Sequence, residues 1–471
     1  MHTRAAILSF LALGFFAQAS QAGTLRDIYE MALENDAQLR SEQAQFRATV
    51  ETEKSARSAL LPQVTGTYDF TDDKRVAQQE NFFADPESGS IGVIDTKTTV
   101  ETTLKGYTFS LQQAIFDLPA WFTFKSGQEI TRQAEATFAA NQQNLILRVV
   151  EAYLEVLRTQ DNLAASQAQE RAFERQREQT RQRFEVGLIA ITDVHEAEAA
   201  YDLAEVNRIV DQNNVDVALE RLSVLTGRQH SNVDVLEEGF EIKKPEPLDR
   251  SAWVEFALEN NFNLKAATYA EEAARQSAKA SRMAHAPTLR GRASYSDIET
   301  SGTLVRVPAT PFDASPDSLV ETTTFGLTLE VPLFSGGAVS SERRRAAQEF
   351  ISAREERINL SRNTVTEARS VHMTVLSDIA RIAARRQSIV SSQSALEATQ
   401  AGYEVGTRNI VDVLNAQNTV FEAQRDYADA RYQYLFDMLR LKELAGLLSP
   451  EDVYALDSSL TNPPSPTASG N

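Results

Sequence analysis

The placement of proline constrains this chain more than any other feature of its sequence. Proline lacks the N–H that a helix interior uses, and its ring collides with the preceding turn, so long stretches without it are open to long helices. The chain has 14 prolines, yet residues 121–244 and 333–449 contain none. Both stretches are rich in Ala, Gln, Glu and Arg, which lose little on entering a helix. In the first, Phe138, Leu145, Val149, Ala152, Val156 and Leu163 recur at intervals of seven, four or three; in the second, Ile351, Ile358 and Val365 recur every seven. So narrow an apolar seam predicts helices paired as coiled coils rather than laid over a broad core. Residues 119–185 and 341–403 are expected as helices of about 90–100 Å, at about 1.5 Å per residue. Residues 24–60, 191–225, 249–283 and 410–444 are expected as helices about half as long.

The two stretches belong to the halves of a tandem duplication. Ala32-Leu33-Glu34-Asn35 matches Ala257-Leu258-Glu259-Asn260 at an offset of 225, and Pro62 matches Pro287 at the same offset. Phe184-Glu185-Val186-Gly187 matches Tyr403-Glu404-Val405-Gly406 at an offset of 219, as Asp193-Val194 matches Asp412-Val413. The expected organisation is a first repeat over 23–230, a linker over 231–248, a second repeat over 249–446 and a C-terminal segment over 447–471. The Pro- and Ser-containing tail after Leu460 is expected to be disordered.

Between the helical stretches the period drops to two. Val64, Gly66, Tyr68 and Phe70 alternate with polar neighbours, as do Tyr107, Phe109, Leu111 and Ile115. In the second half Leu289, Gly291, Ala293 and Tyr295 alternate in the same way, and so do Phe325, Leu327, Leu329 and Val331. Strands are therefore expected at 63–70, 107–116, 288–296 and 324–331. An apolar face backed by a polar one over about 9–11 residues is the pattern of a membrane β-barrel, although a half-buried soluble sheet gives the same alternation. Residues 71–106 and 297–323 are rich in Asp, Thr, Ser, Gly and Pro and are expected as exposed loops. Four strands leave two open edges, which lipid cannot satisfy, and membrane barrels begin at about eight strands. Closure then requires several copies: two give eight strands, three give twelve, and only the larger ring leaves much lumen.

The N-terminus points to export. Arg4, an apolar run over 5–17 and Ser20-Gln21-Ala22 form a secretory signal peptide over 1–22, with cleavage expected after Ala22. No run of 18 apolar residues follows, so no transmembrane helix is expected. The absence of cysteine excludes disulfides, thiolate metal sites, a cysteine nucleophile and a lipid-anchored N-terminal cysteine. A net charge of −19 argues against sequence-independent nucleic-acid binding. His195, His230, His285 and His372 have no metal-ligand spacing, and no phosphate-binding glycine loop is present. No enzyme, metal or cofactor is expected, so energy for any transport must come from a partner.

Two segments are more specific. Arg183-Phe184-Glu185-Val186-Gly187-Leu188-Ile189-Ala190-Ile191-Thr192-Asp193-Val194 is one, and Gly402-Tyr403-Glu404-Val405-Gly406-Thr407-Arg408-Asn409-Ile410-Val411-Asp412-Val413-Leu414-Asn415-Ala416 is the other. Both resemble the turn motifs of the TolC family of trimeric outer-membrane channel-tunnels, and Ala430-Arg431-Tyr432-Gln433-Tyr434 extends the resemblance. It implies an α+β membrane protein in which a long α-helical coiled-coil tunnel joins a trimeric 12-stranded β-barrel, four strands coming from each chain. Residues 231–248 and 447–471 would form an equatorial belt around the periplasmic tunnel. The implied function is an exit duct for type I protein secretion and/or multidrug efflux. Its implied partners are outer-membrane lipid, a periplasmic adaptor and an inner-membrane ABC or proton-driven transporter.

By position, Thr192, Asp193, Tyr403, Arg408 and Asp412 match the family residues that close the periplasmic entrance. Their chemistry is suitable, since a tyrosine hydroxyl donates to a carboxylate and an arginine reaches both a carboxylate and a hydroxyl. The same residues also fit ordinary helix caps. Asn415 stands where the family carries a second constriction aspartate, and Gln400 where it carries a glutamate, so a single carboxylate ring from Asp412 is expected. Val186-Gly187 and Val405-Gly406 resemble the motifs on which adaptor hairpins dock; glycines that merely end helices fit equally. The rival reading is an exported coiled-coil adaptor or tether without a pore. It accounts for the helices but not for alternating strands at matching places in both halves.

Overall fold

A computed structural model describes residues 23–84, 89–237, 239–309 and 315–461. The expected signal peptide and the tail from residue 462 onward lie outside the described residues. The elements are α1 (Leu25–Asn35), α2 (Ala37–Ser58), β1 (Gln63–Ala84), β2 (Ile91–Phe116), α3 (Leu118–Glu185), α4 (Ile191–Thr226), β3 (Val235–Leu236), α5 (Arg250–Asn260), α6 (Phe262–Arg282), β4 (Thr288–Val307), β5 (Ser318–Glu330), α7 (Ala338–Glu404), α8 (Ile410–Leu444), α9 (Pro450–Asp457) and β6 (Leu460–Thr461). They fall into two compact units. One takes the chain up to Gln45, Ala136–Lys265 and the chain from Asn359; the other takes Phe46–Glu135 and Ala266–Ile358.

The proline-free stretches hold the long helices, with 68 residues in α3 and 67 in α7. Two of the expected shorter helices are each broken in two, at Asp36 and at Asn261. These positions are 225 apart, the offset of the repeat. Each break carries a side-chain cap that satisfies an N–H of the next helix. Asp36 Oδ1 accepts from Leu39 N at 2.6 Å, and Asn261 Oδ1 accepts from Leu264 N at 2.9 Å. Their other partners differ. Asp36 is gripped by both terminal nitrogens of Arg148, at 3.1 and 3.0 Å, whereas Asn261 Nδ2 donates to the Leu444 carbonyl at 3.0 Å. Close by, Gly446 holds φ +68°, and a Cβ there would meet the Asn260 carbonyl oxygen at 2.3 Å, so only glycine fits.

The core of the first unit draws on both repeats and on both terminal segments. Leu25 and Ile28 of α1, Val149, Val150 and Tyr153 of α3, Leu222 of α4, Leu441 of α8 and Val453 of α9 are fully or almost fully buried in one cluster. The Tyr153 hydroxyl donates to the Asp234 carbonyl at 2.8 Å, and the short β3–β6 pair lies alongside in sequence. Linker and C-terminal segment are thus pinned to the helices rather than trailing from them.

The second unit carries a four-stranded antiparallel sheet in the order β1-β2-β4-β5. Residues directly opposite across a ladder share a face. The register lines up Val64, Leu111, Ala293 and Phe325 in one row, and Gly66, Phe109 and Tyr295 in the next. The first row is apolar on all four strands, whereas the second ends on Thr323 of β5 and the row beyond it carries Asp297 and Glu321, so the apolar band is confined to one end of this face. Its side chains lie open in the single chain, Val64 at 68% and Phe325 at 80% exposure. β1 and β5 each keep one unpaired edge.

The strands run further than their alternation predicts. β1 and β2 stay paired out to Ala84 and Ile91, and β4 and β5 extend to Val307 and Ser318, so most of 71–106 and 297–323 is hairpin rather than loop. The reason is physical. A ladder between polar residues needs no buried face, because backbone pairing and cross-strand contacts hold it while both faces meet water. Lys74 with Glu101, Lys105 Nζ with Glu299 at 3.1 Å, and Asn81 Nδ2 donating to Thr96 Oγ1 at 3.0 Å are such contacts.

Candidate functional site

The two turns that join α3 to α4 and α7 to α8 are built alike. Gly187 and Gly406 sit in the left-handed region at φ +77° and +78°. Gly187 N donates to Phe184 O at 2.8 Å and Leu188 N to Arg183 O at 2.9 Å. The second turn repeats both bonds, from Gly406 N to Tyr403 O at 3.1 Å and from Thr407 N to Gly402 O at 2.9 Å. This is the Schellman closure of a helix, which satisfies the carbonyls that the helix end leaves open. Val186 and Val405, the residues before the glycines, are 71% and 75% exposed, and no atom lies within 4 Å of a Cβ built on either glycine. Each tip therefore presents a bare valine–glycine step.

The following helices begin differently. Asn409 caps α8 in a reciprocal box: its side chain accepts from Asp412 N at 2.8 Å, and Asp412 Oδ2 accepts from Asn409 N at 3.4 Å. Arg408 Nη1 stands 3.7 Å from Asp412 Oδ2. Ala190 leads α4 without a side-chain cap, and Thr192 Oγ1 reaches only its neighbour, Asp193 Oδ1, at 3.5 Å. Asp412 thus serves a cap and an ion pair at once, leaving its half-exposed carboxylate in reach of water.

Tyr403 occupies a different setting. Its ring packs on the small cluster of Phe173, Ala204, Ile410, Val413 and Leu414, and the Arg183 guanidinium lies 5.0 Å from its centroid. Its hydroxyl is buried and has no partner among the described residues. Of the expected gate residues, the single chain brings Arg408 to Asp412 and Thr192 to Asp193. Among the described residues no hydrogen bond or ion pair joins Thr192 or Asp193 to Tyr403, Arg408 or Asp412. Asn415 is exposed on α8, its carbonyl accepting from Thr419 Oγ1 at 2.9 Å, and Gln400 is half-buried on α7. Sequence reasoning missed Arg183 and Asn409. Asn409 was legible as a capping residue three places before Asp412; Arg183 was not, since cation–ring contact depends on how the two hairpins meet.

Matched turns on two repeats, with a four-stranded sheet between helical pairs, define a family. The model of the outer membrane efflux protein family matches residues 28–228 and 253–447, one block in each repeat. The chain belongs to that family. It is 35% identical over 461 residues to the outer membrane protein TolC of Escherichia coli, covering 97% of this chain and 89% of that one. It is 28% identical over 462 residues to the proteases secretion protein PrtF of Dickeya chrysanthemi, covering 96% and 94%. The structure of the Campylobacter jejuni CmeC outer membrane channel matches its fold at a TM-score of 0.70, with 14% identity and 98% of each chain covered. The chain is accordingly an outer-membrane exit duct for secretion or efflux, with long paired helices and a four-strand share of a β-barrel, and it is not an enzyme. A pore-free adaptor or tether does not account for this membership.

Proposed function

We propose that three copies of this chain close a twelve-stranded barrel in the outer membrane, and that the two helical turns form a gate at the periplasmic end of the duct. The observation that carries this reading is the sheet. Its order alternates strand direction, so the free edge of β5 in one copy is antiparallel to the free edge of β1 in the next. At one end of the sheet Val64, Leu111, Ala293 and Phe325 form an apolar row across all four strands, with Val64, Leu111 and Phe325 exposed, which suits a lipid-facing band. Three copies are favoured over two because a ring of about eight strands is filled by its own side chains.

In this reading residues 1–22 direct export and are removed. The exposed valine–glycine tips receive the hairpins of a periplasmic adaptor, which couples the duct to an inner-membrane ABC or proton-driven transporter. Tyr403, whose hydroxyl lacks a partner among the described residues, donates to a carboxylate in the assembled gate; Thr192, Asp193, Arg408 and Asp412 supply the remaining contacts. Exposed pairs of this kind hold about 0–1 kcal/mol each, so a ring of them keeps the duct shut yet yields to a docking partner. The purified protein should migrate on gels as a heat-modifiable trimer from the outer-membrane fraction; recovery as a soluble monomer overturns the reading. Cross-linking followed by mass spectrometry of captured proteins then identifies the transporter, and with it the cargo.

A further inference from the structure

One end of the sheet is marked by an apolar rim with cations beside it. Phe116, Thr288 and Glu330 end or begin their strands there, as the pairing of Phe116 with Leu289 and of Thr288 with Glu330 requires. The segment that follows β5 carries Leu333 and Phe334, each 88% exposed, the most open large apolar side chains among the described residues. The first turn of α3 adds Trp121, 45% exposed, with Lys125 Nζ 5.3 Å from its ring. His285 Nδ1, at 3.4 Å from the Pro332 carbonyl, holds the Leu333 segment to the start of β4.

The arginines nearby divide into two sets. Arg290 pairs with Asp117, and Arg345 with Glu342 and Glu349. Arg282, the last residue of α6, and Arg343 and Arg344, early in α7, are exposed and have no ion pair among the described residues. Arg343 and Arg344 lie within about 9 Å of the start of their helix along its axis. That matches the depth of a lipid headgroup layer, about 5–7 Å on each side of the hydrocarbon, once a long side chain reaches toward it.

We propose that this rim is a binding site for anionic phospholipid in the periplasmic leaflet: Trp121, Leu333 and Phe334 enter the acyl boundary while Arg282, Arg343 and Arg344 hold the phosphate-bearing headgroup. The inference rests on the sheet being the membrane-embedded part of the chain. Apolar side chains this open, continuous with the lipid-facing side of a barrel strand, have a hydrocarbon surface as their natural cover. Cations left without carboxylates at the same end provide the charge complementarity. An adjoining copy of the chain is the alternative cover, and the test separates the two.

The chain has two tryptophans, and Trp253 is buried in the other unit. In a Trp253→Phe background Trp121 is the only indole, so its fluorescence reports contact with brominated lipid. The full-length protein is reconstituted in phosphatidylcholine vesicles containing brominated phosphatidylglycerol or, in parallel, brominated phosphatidylcholine. We expect phosphatidylglycerol to associate about fivefold more tightly than phosphatidylcholine at low salt, as for a basic side chain at an anionic surface. The ratio should fall to about one in the triple variant Arg282→Gln, Arg343→Gln, Arg344→Gln, with Phe334→Ser reducing quenching by both lipids. Equal quenching by the two lipids in the parent protein overturns the proposal without recourse to any variant. Absence of quenching by either lipid assigns the rim to a neighbouring copy and overturns it as well. Failure to float with vesicles sinks the membrane reading itself, a distinguishable result.

Discussion

The Arg183 guanidinium sits 5.0 Å from the centre of the Tyr403 ring, joining α3 to α7 through residues whose carbonyls accept the closing bonds of the two helices. The duplication aligns Tyr403 with Phe184 and Arg183 with Gly402, so the contact is not repeated on the other side of the pseudo-symmetric pair. Gly402 leaves room that Arg408 fills, its Cγ lying 2.9 Å from where a Cβ would stand. The two halves have diverged where the proposed gate needs them to differ.

Removing that contact should loosen the closed state without unfolding the chain. Cation–ring contacts at partly exposed sites hold about 0.5–1 kcal/mol. Arg183→Gln is therefore expected to raise the fraction of open events in planar bilayers about two- to fivefold, at unchanged trimer stability. Tyr403→Phe keeps the ring and deletes the hydroxyl, so it should open the pore only if that hydroxyl is engaged in the assembly. An unchanged Tyr403→Phe channel removes Tyr403 from the proposed hydrogen bonds.

Asp412 combines a capping role with a charge, and the two separate on substitution. Asn at this position still accepts from Asn409 N, so Asp412→Asn should spare the helix, while Asp412→Ala should cost about 0.5–2 kcal/mol of stability. If Asp412 forms the single carboxylate ring, Asp412→Asn abolishes cation selectivity and multivalent-cation block. Adding a second carboxylate with Asn415→Asp should strengthen that block. Selectivity that survives Asp412→Asn places the constriction elsewhere.

The valine–glycine tips permit a steric test that leaves the fold alone. Nothing lies within 4 Å of a Cβ on Gly406, so a bulky residue meets only the cost of a left-handed backbone, about 1–2 kcal/mol. Gly406→Trp should therefore assemble normally and lose transport, whereas Gly406→Asn, which tolerates that backbone, should retain it. If Gly406→Trp fails to form trimers, the glycine is needed only to end its helix.

Acid should affect two buried carboxylates in opposite senses. Burial, together with the Asp437 charge across the α7–α8 contact and against the attraction of Arg381, raises the Asp378 carboxyl to about 6. Between its unfolded value and about 6 the folded chain holds the extra proton, so this group's contribution to stability falls as pH rises through that window. Asp36 is the converse. Burial opposes its ionisation, but hydrogen bonds from Arg148 and Leu39 outweigh it and hold the carboxyl below the usual aspartate value. Its contribution is present above that usual value and is lost as pH falls through the lowered one. Asp378→Asn should raise the thermal midpoint at pH 7.5 and flatten its change between pH 4 and 6. Asp36→Asn should lower it at pH 7.5, where the charged Arg148 loses its carboxylate partner.

What could be read from the residues was whatever left a period behind it. The long helices and the four alternating segments each impress one, and helices and strands lie where those periods fall. Residues 71–84 and 91–106 bear no such imprint, because strands wet on both faces are not selected for alternation, and their pairing was invisible until the register was known. The breaks at Asp36 and Asn261 were hidden for another reason: both are good caps inside otherwise unbroken helical composition. The turn glycines were legible as helix ends, whereas the contact of Arg183 with Tyr403 joins residues of different repeats, and no local pattern encodes it.

The open-edged sheet has a consequence for how copies are counted. A block of four alternating strands mates with itself by the same antiparallel seam whether the ring holds two members, three or more. The seam is the same at each number, so, beyond the lumen that favours three over two, the proposed ring has to be fixed by the wedge that each chain's helices present to their neighbours. In the proposed ring, stoichiometry is then set largely in water and carried into the membrane, and a ring of the wrong size would point to a fault in the helices while its barrel joints remained sound.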